Sequence, residues 1–323
     1  MAYASLLAVD SLTAMQNPAG AETPTTVSQE ISGLTTEAAN PALSDIDTWP
    51  TDRLVAAMID GDRGVFDAVA ACREQIAAAV DGISERIGRG GRLVYVGAGT
   101  AGRLGVLDAS EIPPTFGTDP SLVIGLIAGG PAAVTGAVEN AEDDREAGPA
   151  QLRELGLRAD DAVVGVAASG RTPYVLGALA YARGVGAYTV GVTNNAGSAV
   201  GQAAEVAIDV VVGPEFVAGS TRLRSGTAQK LVLNMLSTLT MVRLGKTYGN
   251  LMVDLRATNE KLRARSERTV VAATGCSSEE AAAALAGAEG HVKTAILMVL
   301  AEVDAAEARR RLDAAEGHLR RAL

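Results

Sequence analysis

Short, continuous apolar runs alternate along the chain with longer stretches whose apolar residues recur at helical spacing. Residues 93–96, 122–127, 162–167, 188–192 and 206–212 are the short runs. Runs of this length bounded by glycine and polar turns predict buried parallel strands. The stretches between them, about 131–142, 150–155 and 174–183, predict helices, and residues 103–107 are helix-compatible. Ahead of the first strand, Val65, Val69, Cys72, Ile76, Ala79, Val80, Ile83 and Ile87 predict one long helix over 63–88. Thr51-Asp52 caps an earlier helix. A long apolar helix is predicted from 227 to about 244. Strands alternating with helices make this an α/β chain with a doubly wound parallel sheet.

Past Gly249 the strand signals stop. Residues 259–273, 277–288, 292–303 and 305–312 predict short helices, with Ser277-Ser278-Glu279-Glu280 as a capping signature. This predicts a small C-terminal helical domain over 255–323, behind a sheet domain over 31–254. Residues 1–30, rich in Ala, Thr, Pro and Ser without lasting periodicity, predict a disordered leader.

Composition narrows the chemistry. The 323 residues carry a net charge of -10, which argues against a nucleic-acid groove. The two histidines, His291 and His318, both lie near the C-terminus. Histidine metal clusters and Ser-His or Cys-His catalysis have almost no raw material. Two distant cysteines, Cys72 and Cys276, suit a reducing compartment. No apolar run approaches spanning length, and the first residues lack a basic start, so a cytoplasmic protein without membrane contact is expected.

The candidate chemistry sits in the loops after the strands, where ligands of such sheets bind. Gly97-Ala98-Gly99-Thr100-Ala101-Gly102 joins the first strand to a helix start, which is an anion cradle: glycine admits a close backbone approach and unpaired N–H groups point outward. The same letters fit a dinucleotide fingerprint. That reading also wants an acid at the end of the second strand, which reads Ala128-Gly129-Gly130. Ser169-Gly170-Arg171-Thr172 offers hydroxyls, amides and a guanidinium suited to a phosphate monoester, though Ser169 and Thr172 serve equally as helix caps. Ser220-Thr221-Arg222 stands before a third helix. Glu111 follows the first loop within one unit, just before Pro113-Pro114, which are expected to stop the helix. Glu142 lies in an acidic run, Glu139 to Asp144, of the kind that usually forms solvated surface. Two carboxylates beside a sugar phosphate divide acid and base work when their environments differ.

Several stretches together resemble the N-acetylmuramic acid 6-phosphate etherases of the sugar-isomerase (SIS) superfamily: LTTEAANP (34–41), GAGTAGRLGVLDASEIPPTFG (97–117), ENAEDDRE (139–146), ASGRTPYV (168–175), GTAQKLVLNMLST (226–238) and GNLMVDLRATNEKL (249–262). The likeness runs from about 34 to 323. Glucokinase regulatory protein looks related but carries two such domains. The resemblance implies a three-layer αβα SIS fold and cleavage of the D-lactyl ether of N-acetylmuramic acid 6-phosphate, giving N-acetylglucosamine 6-phosphate and D-lactate by elimination and then hydration. It implies no cofactor and no metal, a small-molecule sugar phosphate as partner, and a homodimer with sites near the subunit interface, against which the helices at 63–88 or 227–245 would pack.

By motif, the family's carboxylates fall on Glu111, which would protonate the leaving lactate and activate water, and on Glu142, which would assist C2 deprotonation or ring opening. The phosphate would sit on Gly99, Thr100, Ala101, Ser169, Gly170, Arg171, Thr172 and Ser220. Two departures stand out. Ala101 replaces a serine common in relatives, so Thr100 or a backbone amide carries more of the ligand. A Ser-Arg-Met-Lys stretch reads Thr221-Arg222-Leu223-Arg224, which keeps the charge but changes its geometry. The competing functions are a sugar-phosphate isomerase, which shares enolisation at C2, and a non-catalytic sugar-phosphate sensor.

Overall fold

The computed structural model describes residues 33–254 and 260–323. The expected leader and the expected domain boundary at 254/255 fall on or beside residues outside that range. Five parallel strands form the centre: β1 (Leu93–Gly97), β2 (Val123–Ile127), β3 (Ala162–Ala167), β4 (Tyr188–Thr193) and β5 (Val206–Asp209), in the order β2-β1-β3-β4-β5. Leu93 pairs with Val123 on one side and with Ala162 on the other. β1 and β3 are buried along their whole length, as continuous apolar runs require.

Three helices precede the sheet: α1 (Thr51–Asp62), α2 (Gly64–Ala71) and α3 (Arg73–Gly88). Along the sheet run α4 (Gly99–Phe116), α5 (Ala132–Thr135), α6 (Ala147–Glu154), α7 (Pro173–Val185), α8 (Ala199–Ala203) and α9 (Arg224–Arg243). One core joins the sheet to α2, α3, α4 and α9 through Val69, Ile83, Ile112 and Leu236. The other joins it to α6, α7 and α8 through Leu152, Leu179 and Val200. The two faces give three layers. A short hairpin, β6 (Thr247–Tyr248) and β7 (Leu251–Met252), leads to α10 (Glu260–Thr274), α11 (Ser278–Gly287), α12 (Val292–Ala301), α13 (Ala305–Ala314) and α14 (Leu319–Ala322). These helices enclose a third apolar cluster, with Val270, Ile296 and Leu297 fully buried. The Ser277–Glu280 capping box is present.

The sequence pattern misplaces four details. The helix expected over 63–88 breaks at Cys72, which leaves helical geometry and donates its Sγ to the Asp209 carbonyl at 3.4 Å. There the Cys72 N–H turns to the Val69 carbonyl, and the thiol, a weak donor, adds a tertiary contact beside β5. The helix expected over 131–142 is only α5, because Gly136 turns extended. β5 stops at Asp209 rather than 212, where the Asp209 carboxylate accepts from Thr193 Oγ1 at 2.6 Å and from the Gly197 N–H at 2.9 Å. Finally, α4 does not stop at Pro113-Pro114 but runs to Phe116. The prolines sit in its last turn and each costs one backbone donor, yet the helix closes only at Gly117, which at φ 63° donates to the Pro113 carbonyl.

A buried polar cluster fixes α4 against α9. Asp108 accepts from Tyr95 Oη at 2.9 Å and from Asn234 Nδ2 at 2.6 Å. Burial pushes the Asp108 carboxyl above its ordinary range, with those hydrogen bonds opposing the shift.

Candidate active site

The carboxyl ends of β1, β3 and β5 lead into three loops. At the first, α4 begins at Gly99, whose φ of 53° only glycine holds without strain; a Cβ there would meet nothing within 4 Å, so open space lies above it. The N-cap is Ala98 and no side chain caps this helix. Among the described residues, the N–H groups of Thr100 and Ala101 meet no acceptor. An uncapped helix start of this kind attracts an oxyanion.

The second loop is 168–172. Thr172 is the N-cap of α7, yet its hydroxyl makes no capping bond. The capping alternative therefore fails for Thr172, which leaves that hydroxyl for a ligand. Ser169 Oγ accepts weakly from the Arg171 N–H at 3.4 Å. Arg171 is half-buried. Gly170 has φ 68°, and a Cβ there would collide with Ser198, so a side chain is excluded on two counts.

The third loop, 219–222, is tied to the second through a polar chain. The Ala168 carbonyl accepts from Asn195 Nδ2 at 2.9 Å and from the Asn194 N–H at 3.1 Å. Asn195 also donates to Thr36 Oγ1 at 3.2 Å and accepts from the Thr35 N–H at 2.7 Å. The Thr36 carbonyl in turn accepts from the Gly219 N–H at 3.1 Å. Thr100 completes the circle: its methyl group lies 3.4 Å from where a Gly226 Cβ would stand, at the start of α9. Contacts thus tie the first loop to the start of α9 through Thr100 and Gly226, and the second loop to Gly219 through Asn195 and Thr36.

The third helix start differs from expectation. Glu215, 1% exposed, fills it by accepting from the Arg224 N–H and the Ser225 N–H, each at 2.9 Å. A carboxylate there closes the end of α9 to a second anion. Arg224 is likewise turned away. Its Nη1 donates to the Pro214 carbonyl at 2.8 Å and its Nε lies 3.6 Å from Asp62.

The two proposed catalytic carboxylates separate. Glu142 is exposed, but its carbonyl accepts from the Tyr174 N–H at 3.0 Å, which pins the acidic turn to the α7 start. Glu111 is exposed on α4, and a rise of about 1.5 Å per residue sets it roughly 16 Å along the helix from Thr100. That rise separates it from the first loop of its own chain. A third carboxylate, missed in the sequence, lies at the third loop: Glu37 Oε2 is 3.0 Å from where a Gly219 Cβ would stand. The motif around residue 37 was legible, but only the Asn195–Thr36 contact shows where it docks. Among the described residues, no group of three His, Cys, Asp or Glu is arranged to hold a metal ion.

Comparison with known proteins agrees with this architecture. The glucokinase regulatory protein N-terminal SIS domain family matches residues 75–183, and the SIS domain family matches 146–239. The N-acetylmuramic acid 6-phosphate etherase of Streptomyces avermitilis is 61% identical over 294 residues, 91% of this chain and 94% of the relative. That of Mycolicibacterium smegmatis is 54% identical, covering 91% of this chain and 99% of the relative. A phosphoheptose isomerase structure from Francisella tularensis aligns with 59% of this chain and 96% of its own, at 18% identity and a TM-score of 0.46. With more than half of its residues shared across nine-tenths of its length, the chain belongs to the N-acetylmuramic acid 6-phosphate etherase family, built on an SIS domain.

Proposed function

We propose that the chain cleaves the D-lactyl ether of N-acetylmuramic acid 6-phosphate, releasing D-lactate and N-acetylglucosamine 6-phosphate, as a carbon–oxygen lyase. The observation that carries this reading is that the α4 start is uncapped and the Thr172 hydroxyl makes no capping bond at the α7 start, in a chain 61% identical to a relative of that name. The 6-phosphate sits on the Thr100 and Ala101 amides and the hydroxyls of Thr100, Ser169, Thr172 and Ser220. Once the sugar opens to its aldehyde, the C2 proton is acidified. Glu142, fixed beside the α7 start, assists its removal. Lactate leaves C3, and water adds to the unsaturated aldehyde.

Glu111 protonates the leaving lactate from a second copy of the chain. Two observations support that arrangement. Glu111 is too far down α4 to serve the first loop of its own chain. A groove of about 660 Å³ between α2, α3 and α9 exposes Phe66 (66%), Leu239 and Val242, an apolar surface that pairing would cover. Apolar patches of this kind mark association surfaces, so we assign a homodimer. The free thiols of Cys72 and Cys276 fit a cytoplasmic location. No single described helix is long and apolar enough to cross a membrane.

The test is release of free D-lactate from the phosphorylated muramic substrate. Turnover without lactate would favour an isomerase; binding without turnover would favour a sensor.

A further inference from the structure

The C-terminal helices meet the sheet domain around a cleft of about 460 Å³. It lies at the far end of α4 from Thr100, since Gly117, which closes that helix, forms part of its wall. Lys246, Asp254, His291, Lys293 and Thr294 also line it.

Three features of this cleft point to an oxyanion. First, α12 begins here without a cap: His291 is its N-cap and makes no side-chain capping bond. Val292, Lys293 and Thr294 are buried, yet their N–H groups meet no acceptor among the described residues. A buried helix start with open donors calls for a partner. Second, Thr294 is 5% exposed and its hydroxyl forms no hydrogen bond to any described residue. This hydroxyl is a donor on the cleft wall, independent of the backbone amides. Third, two ammonium groups share one carboxylate. Lys293 Nζ, in a residue 8% exposed, lies 2.8 Å from Asp254, and Lys246 Nζ lies 3.1 Å from the same oxygen. The three leave one positive charge, to which the helix start adds about half a unit. Glu289, on the rim, is already paired with Arg309 at 2.7 Å. Burial holds the Lys293 ammonium below its ordinary range against the pull of Asp254, so an added anion would be welcome there.

We propose that this cleft is a second oxyanion site, distinct from the strand-end loops, which takes a phosphate dianion on the α12 amides, the Thr294 hydroxyl and the ammonium groups of Lys246 and Lys293. The number of donors selects phosphate over a carboxylate, which has fewer oxygens to satisfy them.

Calorimetric titration of inorganic phosphate into the full chain tests this. The wild type shows two binding events per chain, Thr294→Val one, and Thr294→Ser two again. Lys246→Met weakens the affected event at least tenfold. Acetate binds the cleft at least tenfold more weakly than phosphate. In a Thr172→Val background one event remains, and adding Thr294→Val removes it. A single event in the wild type, two unchanged events in folded Thr294→Val, or equal binding of acetate would overturn the proposal. Should Thr294→Val not fold, Lys246→Met decides: undiminished phosphate affinity in that variant rejects the site.

Discussion

Tyr174 donates its N–H to the carbonyl of Glu142 at 3.0 Å, so the acidic turn and the start of α7 move as one. The charge run is therefore not merely solvated surface, because its backbone is fastened two residues from Thr172. Glu142→Gln should lower kcat about 100-fold or more, the usual contribution of a positioned acid or base. Phosphate affinity should stay within a few-fold. Steady-state lactate release alongside phosphate titration checks both; unaltered kcat would remove Glu142 from the reaction.

Glu111 yields a sharper test, because its distance from Thr100 underlies the proposal that it serves a second copy of the chain. Glu111→Gln and Glu142→Gln chains should each be nearly inactive alone. Co-expressed and mixed at random, they should recover about a quarter of wild-type turnover, since half of the dimers then hold one intact site. No recovery in verified heterodimers would return Glu111 to its own chain or exclude it.

Thr172 makes no capping bond, so its removal should act on ligand more than on fold. Thr172→Ala should raise KM for phosphorylated substrate by about 10- to 100-fold, as loss of a hydrogen bond to a charged group implies. The unphosphorylated analogue should be nearly unaffected. Equal losses would exclude phosphate contact at this hydroxyl.

Asp161 is a buried carboxylate with several donors. Fully buried ahead of β3, it accepts from the Arg92 N–H at 2.9 Å, Arg92 Nη2 at 2.7 Å and the Arg158 N–H at 2.8 Å. Hydrogen bonds from Arg92 and Arg158 hold its carboxyl below the usual range against desolvation. A depressed carboxylate stabilises the fold above its unfolded pKa of about 3.9, and that contribution fades as pH falls through the lower folded value. Asp161→Ala should cost about 3–5 kcal/mol at neutral pH, because it strands Arg92. Urea melts at pH 7 and pH 3 check this: the gap between wild type and variant should narrow at the lower pH.

Glu215 caps α9 through two backbone donors. Glu215→Ala should destabilise the chain by about 1–3 kcal/mol, the cost of leaving buried donors unmet. Thermal melts measure it; an unshifted Tm would mean that water replaces the carboxylate.

Much of this architecture could be read from the order of residues. Uninterrupted apolar runs such as 162–167 specify strands buried on both faces, and their alternation with helices leaves a parallel sheet as the compatible layout. The glycine loop at 97–102 could be read as an open helix start, because glycine conformations and helix caps are local properties. Even the Ser277–Glu280 cap is local, spanning three residues.

Only the tertiary structure decided what depends on distant partners. No local rule places Glu215 on the start of α9, docks Thr36 on Asn195, or sets the Cys72 thiol on the Asp209 carbonyl. The sequence put Glu111 in the same unit as the cradle, but a helix carries a side chain away from its own N-terminus at a fixed rise, so proximity along the chain became separation in space. Periodicity and propensity are short-range and written residue by residue. The geometry of a site arises where elements remote in sequence pack, and that was settled only when the sheet and its helices came together.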